Sequence, residues 1–415
     1  MKTPVNILFV SFIGNVTDIS RGFVKKDVEK VEALNRLNGA SCLGVSFAYE
    51  IAHDYYYKPY YFVKKLQARK WPKFFGSIVK RRYEYRELEN YLSTARFDII
   101  IARYDVASYS LYKLTKKLKR KILFEHNSFE YDELVLGINA RRALLKFSLK
   151  PGYFLYYIEG KVWPLFSEKY YGPKVRTKAA AGVAVTNEIA VYQQKLANGY
   201  KCRVVTNGVK YDAGLLRKAP VFNEKELRLF MLLGTGAPWH GTDRIIAGLK
   251  KYKGITKITI DIIGYYYEHE KVEVERLGLM DNIRFFSPLA GNELDTFIKD
   301  HHISIGTLAV HRKNLVEATP LKVRESMMRG YPVMIGYTDP DFVTKDRLND
   351  FIFRVPPTDE PVDFDAVVTF AKAALSVNGY PSLISDLARP KIDFDVKAQE
   401  TLGVIKECLV ALQNA

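Results

Sequence analysis

Short apolar runs alternate with helix-length amphipathic stretches along the whole chain, and they do so in two sets. The first set predicts strands at Asn6–Ser11, Cys42–Phe47, Asp98–Ala102, Lys121–Glu125, Gly182–Thr186 and Arg203–Thr206. The second predicts strands at Leu227–Gly234, Lys257–Gly264, Ile283–Phe286, His302–Gly306, Pro332–Gly336 and Phe351–Val355, with helices such as Asp243–Lys251, Glu268–Leu277 and Asn292–Lys299 between them. Strand–helix alternation of this kind builds parallel sheets covered on both faces. A chain of 415 residues is too long for one ordinary core. The expectation is an α/β protein of two Rossmann-like, doubly wound domains, residues 1–207 and 208–390. The periodicity fades across VTNGVKYDAGLLRKAPVFNEKEL, residues 205–227, which marks the junction. Ligands bind such sheets at the carboxyl ends of the strands, so two facing domains would share a cleft.

The net charge of +17 is unevenly placed: residues 1–200 carry +16 and residues 201–415 carry +1. A basic partner-facing surface is expected in the first half. Three cysteines, Cys42, Cys202 and Cys408, lie far apart without metal-ligand spacing. This argues for a reducing compartment and against a disulfide framework or a structural zinc. No run of 18 apolar residues occurs, so no spanning helix is expected. The opening MKTPVNILFVSFIG lacks a sizeable basic region and a small-residue cleavage site, and reads as a first strand rather than a signal peptide.

Residues 317–325 read EATPLKVRE. Thr319 is a good helix N-cap, Pro320 fits the first helical position, and Gly330 fits a stop. Glu317 then precedes the helix and Glu325 lies two turns in, with Thr319 and Glu325 roughly 9 Å apart along the axis. Between the carboxylates lie unpaired backbone N–H groups, the positive end of the helix dipole and the Lys322 ammonium, an anion site. The order is hydroxyl acceptor, phosphate cradle, hydroxyl acceptor. A nucleotide sugar offers sugar hydroxyls, diphosphate and ribose hydroxyls in that order. An ordinary capped helix with solvated glutamates would show the same spacing.

Glu317-x7-Glu325 resembles the E-x7-E motif of retaining family-four glycosyltransferases with the GT-B fold. The surrounding HRKNLVEATPLKVRESMMRGYPVMIGYTDPD, from His311 to Asp341, resembles a subgroup that builds bacterial capsule, lipopolysaccharide and exopolysaccharide. VVTNGV ending at Val209, LLGTGAPWHGTDR from Leu232 to Arg244, IDIIG ending at Gly264 and FEHNSFEYDE from Phe124 to Glu133 extend the likeness. It is strongest from about Val204 to Asp341 and weakest from Tyr55 to Arg96.

The resemblance implies a nucleotide-sugar site in the second domain and an acceptor site in the first, with residues 391–415 packing back on the first. It implies that Glu317 orients the sugar, that Glu325 holds the ribose, and that Thr319, Pro320, Leu321 and Lys322 face the diphosphate. Gly264 would close the neighbouring strand end, and His126, after the strand ILFE, would lie near the donor sugar. Arg103 and Glu125, at the ends of neighbouring strands, would line the same mouth or form a structural ion pair. Gly14 would let the first loop approach a ligand. The reaction would be glycosyl transfer with retention, from a UDP- or GDP-linked donor to a hydroxyl of a glycan, with no cofactor or required metal. Asp363-Phe364-Asp365 and Asp393-Phe394-Asp395 have metal-binding spacing but lie outside the expected cleft segments.

The chain departs from the family at His240-Gly241, where a Lys-Gly pair is usual. Lys322, Arg312 or Lys313 would then supply the missing phosphate charge. Gly234-x-Gly236 partly matches a dinucleotide fingerprint, but Pro238 and Trp239 break its spacing. Two basic–aromatic stretches, Tyr55–Arg86 and Arg141–Tyr171, suit amphipathic helices on an anionic membrane. A cytoplasmic enzyme peripheral on the inner membrane face, with a lipid-linked glycan acceptor, follows from these expectations. The basic stretches would also suit packed aromatics under a solvated face, and they carry no recognised nucleic-acid motif. A sugar-nucleotide epimerase and a non-catalytic, membrane-associated binding protein remain as alternatives.

Overall fold

The computed structural model describes residues 4–12, 15–16, 21–51, 57–58, 60–67, 70, 76–135, 162–234, 236–343 and 345–414. The chain forms two compact units, Met1–Val205 with Lys397–Ala415, and Thr206–Val396.

The first unit holds β1 (Val5–Phe12), β2 (Asn15–Val16), β3 (Ala40–Ala48), β4 (Glu50–Ile51), β5 (Tyr57–Lys58), β6 (Tyr61–Lys65), β7 (Ile99–Arg103), β8 (Ile122–His126), β9 (Ala181–Ala184) and β10 (Cys202–Val204). Eight of these form one sheet in the order β10-β9-β8-β7-β1-β3-β6-β5. Every pairing in that sheet is parallel except the β5–β6 edge pair. The central strands are buried on both faces, which is why ILFEH in β8 reads as a continuous run; all five residues are buried. Helices Arg21–Arg36, Gly76–Leu92, Tyr109–Lys117, Trp163–Lys178 and Asn187–Leu196 connect the strands. From Lys397 onward the last helix, Phe394–Gln413, belongs to this unit, and its Glu407 pairs with Arg203.

The second unit has β11 (Glu226–Leu233), β12 (Lys257–Gly264), β13 (Ile283–Phe286), β14 (Ile303–Ile305), β15 (Val333–Ile335) and β16 (Ile352–Arg354). All pair parallel in the order β13-β12-β11-β14-β15-β16. Chain direction across the sheet reverses between β11 and β14. That is the switch point at which a doubly wound sheet opens a crevice beyond its strand ends.

The expected basic–aromatic helix over 55–86 is corrected in its described part. It supplies the edge strand β5, its neighbour β6 and the start of helix Gly76–Leu92. Several of its aromatics are core: Tyr61 and Tyr85 are buried, and the Tyr61 hydroxyl meets that of Ser46. Parallel pairing of β6 with β3 claims that stretch as sheet. Most of the second stretch, residues 141–161, lies outside the described residues.

Candidate functional site

The strand ends of the second unit are shaped by close backbone approach. Gly264 ends β12 at φ +130, and a Cβ there would lie 1.9 Å from the Leu233 carbonyl oxygen. Only glycine lets β11 and β12 finish side by side. After β11 the chain makes a single 3-10 turn, Pro238–His240, and leaves it through Gly241 at φ +78. Leu308 and Ala309 N–H groups donate to the His240 and Trp239 carbonyls, both at 3.0 Å. The loop after β11 is thereby zipped to the loop after β14, across the switch point.

The helix that follows runs from Leu321 to Met328. Its cap differs from the expected one. Pro320 occupies the cap position with extended ψ of 131°, and no side chain caps the helix. Thr319 is buried, and its carbonyl and hydroxyl oxygens accept from the Asn207 side-chain amide at 2.8 and 3.0 Å. That tertiary contact takes the threonine away from the helix. Gly330 does adopt the left-handed conformation, φ +84, that ends a helix.

Lys322 reaches from the first turn to the end of β11, where its ammonium donates to the Leu232 carbonyl at 3.1 Å. A Cβ on Gly234 would lie 3.3 Å from that nitrogen. Burial pushes the Lys322 pKa down to about 8, against the pull of Glu325. Glu317 is half-buried and bridges to Thr338, with Ala318 N–H donating to the Thr338 carbonyl and Thr338 N–H to that of Val316. Glu325 is also half-buried, one turn after Lys322.

What holds this helix is Arg324, which the sequence reading did not single out. It is fully buried. Its guanidinium donates to Asp339 and pairs with Asp341 at 2.8 Å, and it also donates to the Thr206 hydroxyl and the Asn207 carbonyl. The junction residues Thr206 and Asn207 and the loop Asp339–Asp341 are thus clamped to one side of the helix. Burial raises the Asp339 pKa and Arg324 opposes the rise. The Asn207 Oδ1 is buried without a hydrogen-bond partner among the described residues. The available signal was a cation at a core position, beside Val323 and before Met327, with two aspartates following at Asp339 and Asp341.

Arg312, expected as a phosphate supplement, is engaged in ion pairs within the fold. It forms a bidentate pair with Asp243 at 2.9 and 2.7 Å, and it donates to Asp359 at 2.7 Å and to the Pro238 carbonyl at 2.6 Å. These partners raise its pKa. Lys313 lies over the Trp239 ring, 5.0 Å from its centroid. Lys322 is therefore the ammonium that the fold places beside the strand end and the helix N-terminus.

In the first unit the singled-out residues form buried networks. The Glu125 carboxylate accepts from Lys26 at 3.1 Å and Lys30 at 2.9 Å. Burial would raise its pKa, but Lys26, Lys30 and Arg103 outweigh that and hold it well below the usual carboxylate range. Arg103 pairs with Asp27 at 2.6 Å. Of the two readings of Arg103 and Glu125, the ion-pair one describes what the structure shows. His126 is fully buried, with Glu130 on Nδ1 and the Tyr200 hydroxyl on Nε2, both at 3.0 Å. Both ring nitrogens are thus hydrogen-bonded within the first unit. Gly14 lies outside the described residues. Among the described residues no group of three or more His, Cys, Asp or Glu is placed to hold a metal ion.

No family model matches the chain. No curated protein matches it. Solved structures do. A lipopolysaccharide outer core galactosyltransferase, WaaB, in its apo form superposes with a TM-score of 0.61 at 13% identity, covering 97% of this chain and 99% of that one. Sucrose-phosphate synthase from Thermosynechococcus elongatus gives 0.65 at 12% identity, over 98% and 100%. Anabaena HepE in complex with UDP and glucose gives 0.62 at 13% identity, over 97% and 100%. These likenesses span nearly the whole chain, and together with the two largely parallel sheets they show that it has the GT-B fold.

Proposed function

We propose that the chain is a retaining glycosyltransferase that moves a sugar from a nucleotide sugar to a hydroxyl of a glycan acceptor. The observation that carries this reading is the arrangement at the switch point of the second sheet. There the Leu321–Met328 helix starts beside the end of β11, Lys322 bridges the two, and Glu317 precedes and Glu325 follows it in the chain. The diphosphate would lie against the helix N-terminus and the Lys322 ammonium. Both stabilise the charge that develops on the leaving group, and neither has to reorganise to do so. Glu317 would accept from sugar hydroxyls and Glu325 from the ribose. No step needs a metal ion. The donor would be UDP- or GDP-linked; the solved HepE complex holds UDP and glucose.

The setting follows from the same reading: bacterial surface polysaccharide synthesis, such as lipopolysaccharide or capsule, at the cytoplasmic face of an anionic membrane, with a lipid-linked acceptor. WaaB, a lipopolysaccharide galactosyltransferase, supports the glycan class. Among the described residues no helix is long and apolar enough to cross a membrane. His240, in place of the usual lysine, favours one further reading, a nucleotide-sugar-binding protein without transfer.

Calorimetric titration with UDP, GDP, ADP and CMP tests the site, followed by the sugar conjugates of whichever binds. Binding of one diphosphate, weakened about tenfold by Glu325→Ala through loss of a hydrogen-bonded charge, is the expected result. Absence of binding by all four to folded protein would remove the donor site. Binding without turnover on any glycan acceptor would favour the non-transferring reading.

A further inference from the structure

A second concavity lies in the first unit, away from its strand-end ion pairs. It is a cavity of about 630 Å³ between helices Gly76–Leu92, Tyr109–Lys117 and Trp163–Lys178. Its walls bring together Arg81, Arg82, Arg86 and Lys113, against the single carboxylate of Glu89. Arg81 belongs to the fold, donating to the Val106 carbonyl and to Asp105. Arg82 and Arg86 are one helical turn apart and exposed, and they have no ion-pair partner among the described residues. The Lys117 ammonium stands 3.7 Å from Glu89 and offsets the lone acid.

The rim is aromatic. Tyr109 is 56% exposed, and Trp163, at the cavity wall, is 48% exposed. Trp163 is continued along its helix by Phe166 and Tyr170, which are 63% and 60% exposed. Positions 163, 166 and 170 fall on one helix face. Large exposed aromatics on one face are costly in water unless something apolar covers them. A soluble anion would satisfy the arginines and leave that face bare. A lipid satisfies both: phosphate for the cations, and the headgroup–acyl boundary for tryptophan, phenylalanine and tyrosine.

We propose that this cavity seats the phosphate-bearing headgroup of an anionic membrane lipid, with the Trp163–Phe166–Tyr170 face lying at the bilayer interface. The inference deepens the membrane part of the reading above and does not depend on the nucleotide site. It also divides the basic surface of the first unit, making Arg82 and Arg86 specific contacts and cations elsewhere a diffuse background.

The test is flotation of the full chain with vesicles of phosphatidylcholine, alone or with phosphatidylglycerol, at 0.15 M salt, an ionic strength of roughly physiological screening. Binding should require the anionic lipid. Arg82→Ser with Arg86→Ser should weaken it roughly thirtyfold. Lys119→Asn with Arg120→Asn removes two exposed cations beyond the far end of the Tyr109–Lys117 helix, where asparagine tolerates the positive φ. That variant should bind within a few-fold of the parent. Vesicles should also shift the tryptophan emission to the blue, and Trp163→Ser should abolish the shift. Equal losses in the two double variants, equal binding to neutral vesicles, or an unchanged shift in Trp163→Ser would each overturn the proposal. So would saturation of the site by soluble glycerol 3-phosphate without vesicle binding, or capture of an oligonucleotide through Arg82 and Arg86 in place of vesicles. Nucleotide titration of the same variants should be unchanged, so failure here and failure of the donor site are read separately.

Discussion

The two sheets share a winding pattern and treat their strand ends in opposite ways. In the first unit the ends of β7 and β8 carry polar and charged side chains that the fold pairs internally: Glu125 with Lys26 and Lys30, Arg103 with Asp27, His126 hydrogen-bonded to Glu130 and Tyr200. In the second unit the ends of β11 and β12 are backbone and glycine, with one ammonium beside them. The charges there are set one layer back, where Arg324 and Asp339 hold the helix. A sheet can thus use the same topology as a braced scaffold or as a receiving site, and the side chains at its strand ends decide which.

The largest effects should come from the braces. Arg324→Met would leave Asp339 buried without its counterion and cost about 3–5 kcal/mol. Urea unfolding that isolates the second unit's transition would measure it. A loss under 1 kcal/mol would mean that the clamp does not hold the helix. Glu125→Gln should destabilise the first unit by about 3 kcal/mol, because two buried ammoniums lose their partner. The Glu125 pKa is depressed in the folded state, so its stabilisation is present above the ordinary carboxylate range near 4.5 and lost as pH falls below it. In the variant, the stability curve should be flatter on the acid side.

Lys322→Met should act on the other side of the comparison. Stability should change little, since burial already disfavours the ammonium. Affinity for a nucleoside diphosphate should fall tenfold to a hundredfold, about 1.5–3 kcal/mol for a hydrogen bond to a charged group. In the parent, affinity should decline as pH rises through about 8, where the ammonium deprotonates. A bound diphosphate favours the charged form, so the midpoint in the complex should lie higher. A pH-independent affinity would deny Lys322 the phosphate. The smallest effect is expected from His240→Lys, a gain of about fivefold from exchanging an imidazole for an ammonium, read by the same titration.

Much of the architecture was legible along the chain. Lys257–Gly264 and Ile283–Phe286 were placed to the residue, and most other strands to within one or two. The helix after Pro320 was expected, but its cap was assigned by local preference, and Asn207, more than a hundred residues away, draws Thr319 elsewhere. Strand β6 was missed because YYFVKK reads as basic and aromatic, and only its pairing with β3 makes it sheet. Arg312 looked available until Asp243 and Asp359 were placed beside it.

The sequence by itself determined the alternation of strands and helices, and with it two doubly wound sheets, because periodicity and helix-stop chemistry are local. It also determined that Glu317, Lys322 and Glu325 would gather at one helix start. The tertiary structure alone decided which charges are consumed. Glu125 meets Lys26 and Lys30 across 99 and 95 residues, and Arg324 meets Thr206 across 118. Such pairs depend on which strands become neighbours and on the desolvation that forces a buried ion to find a counterion. No local pattern records either.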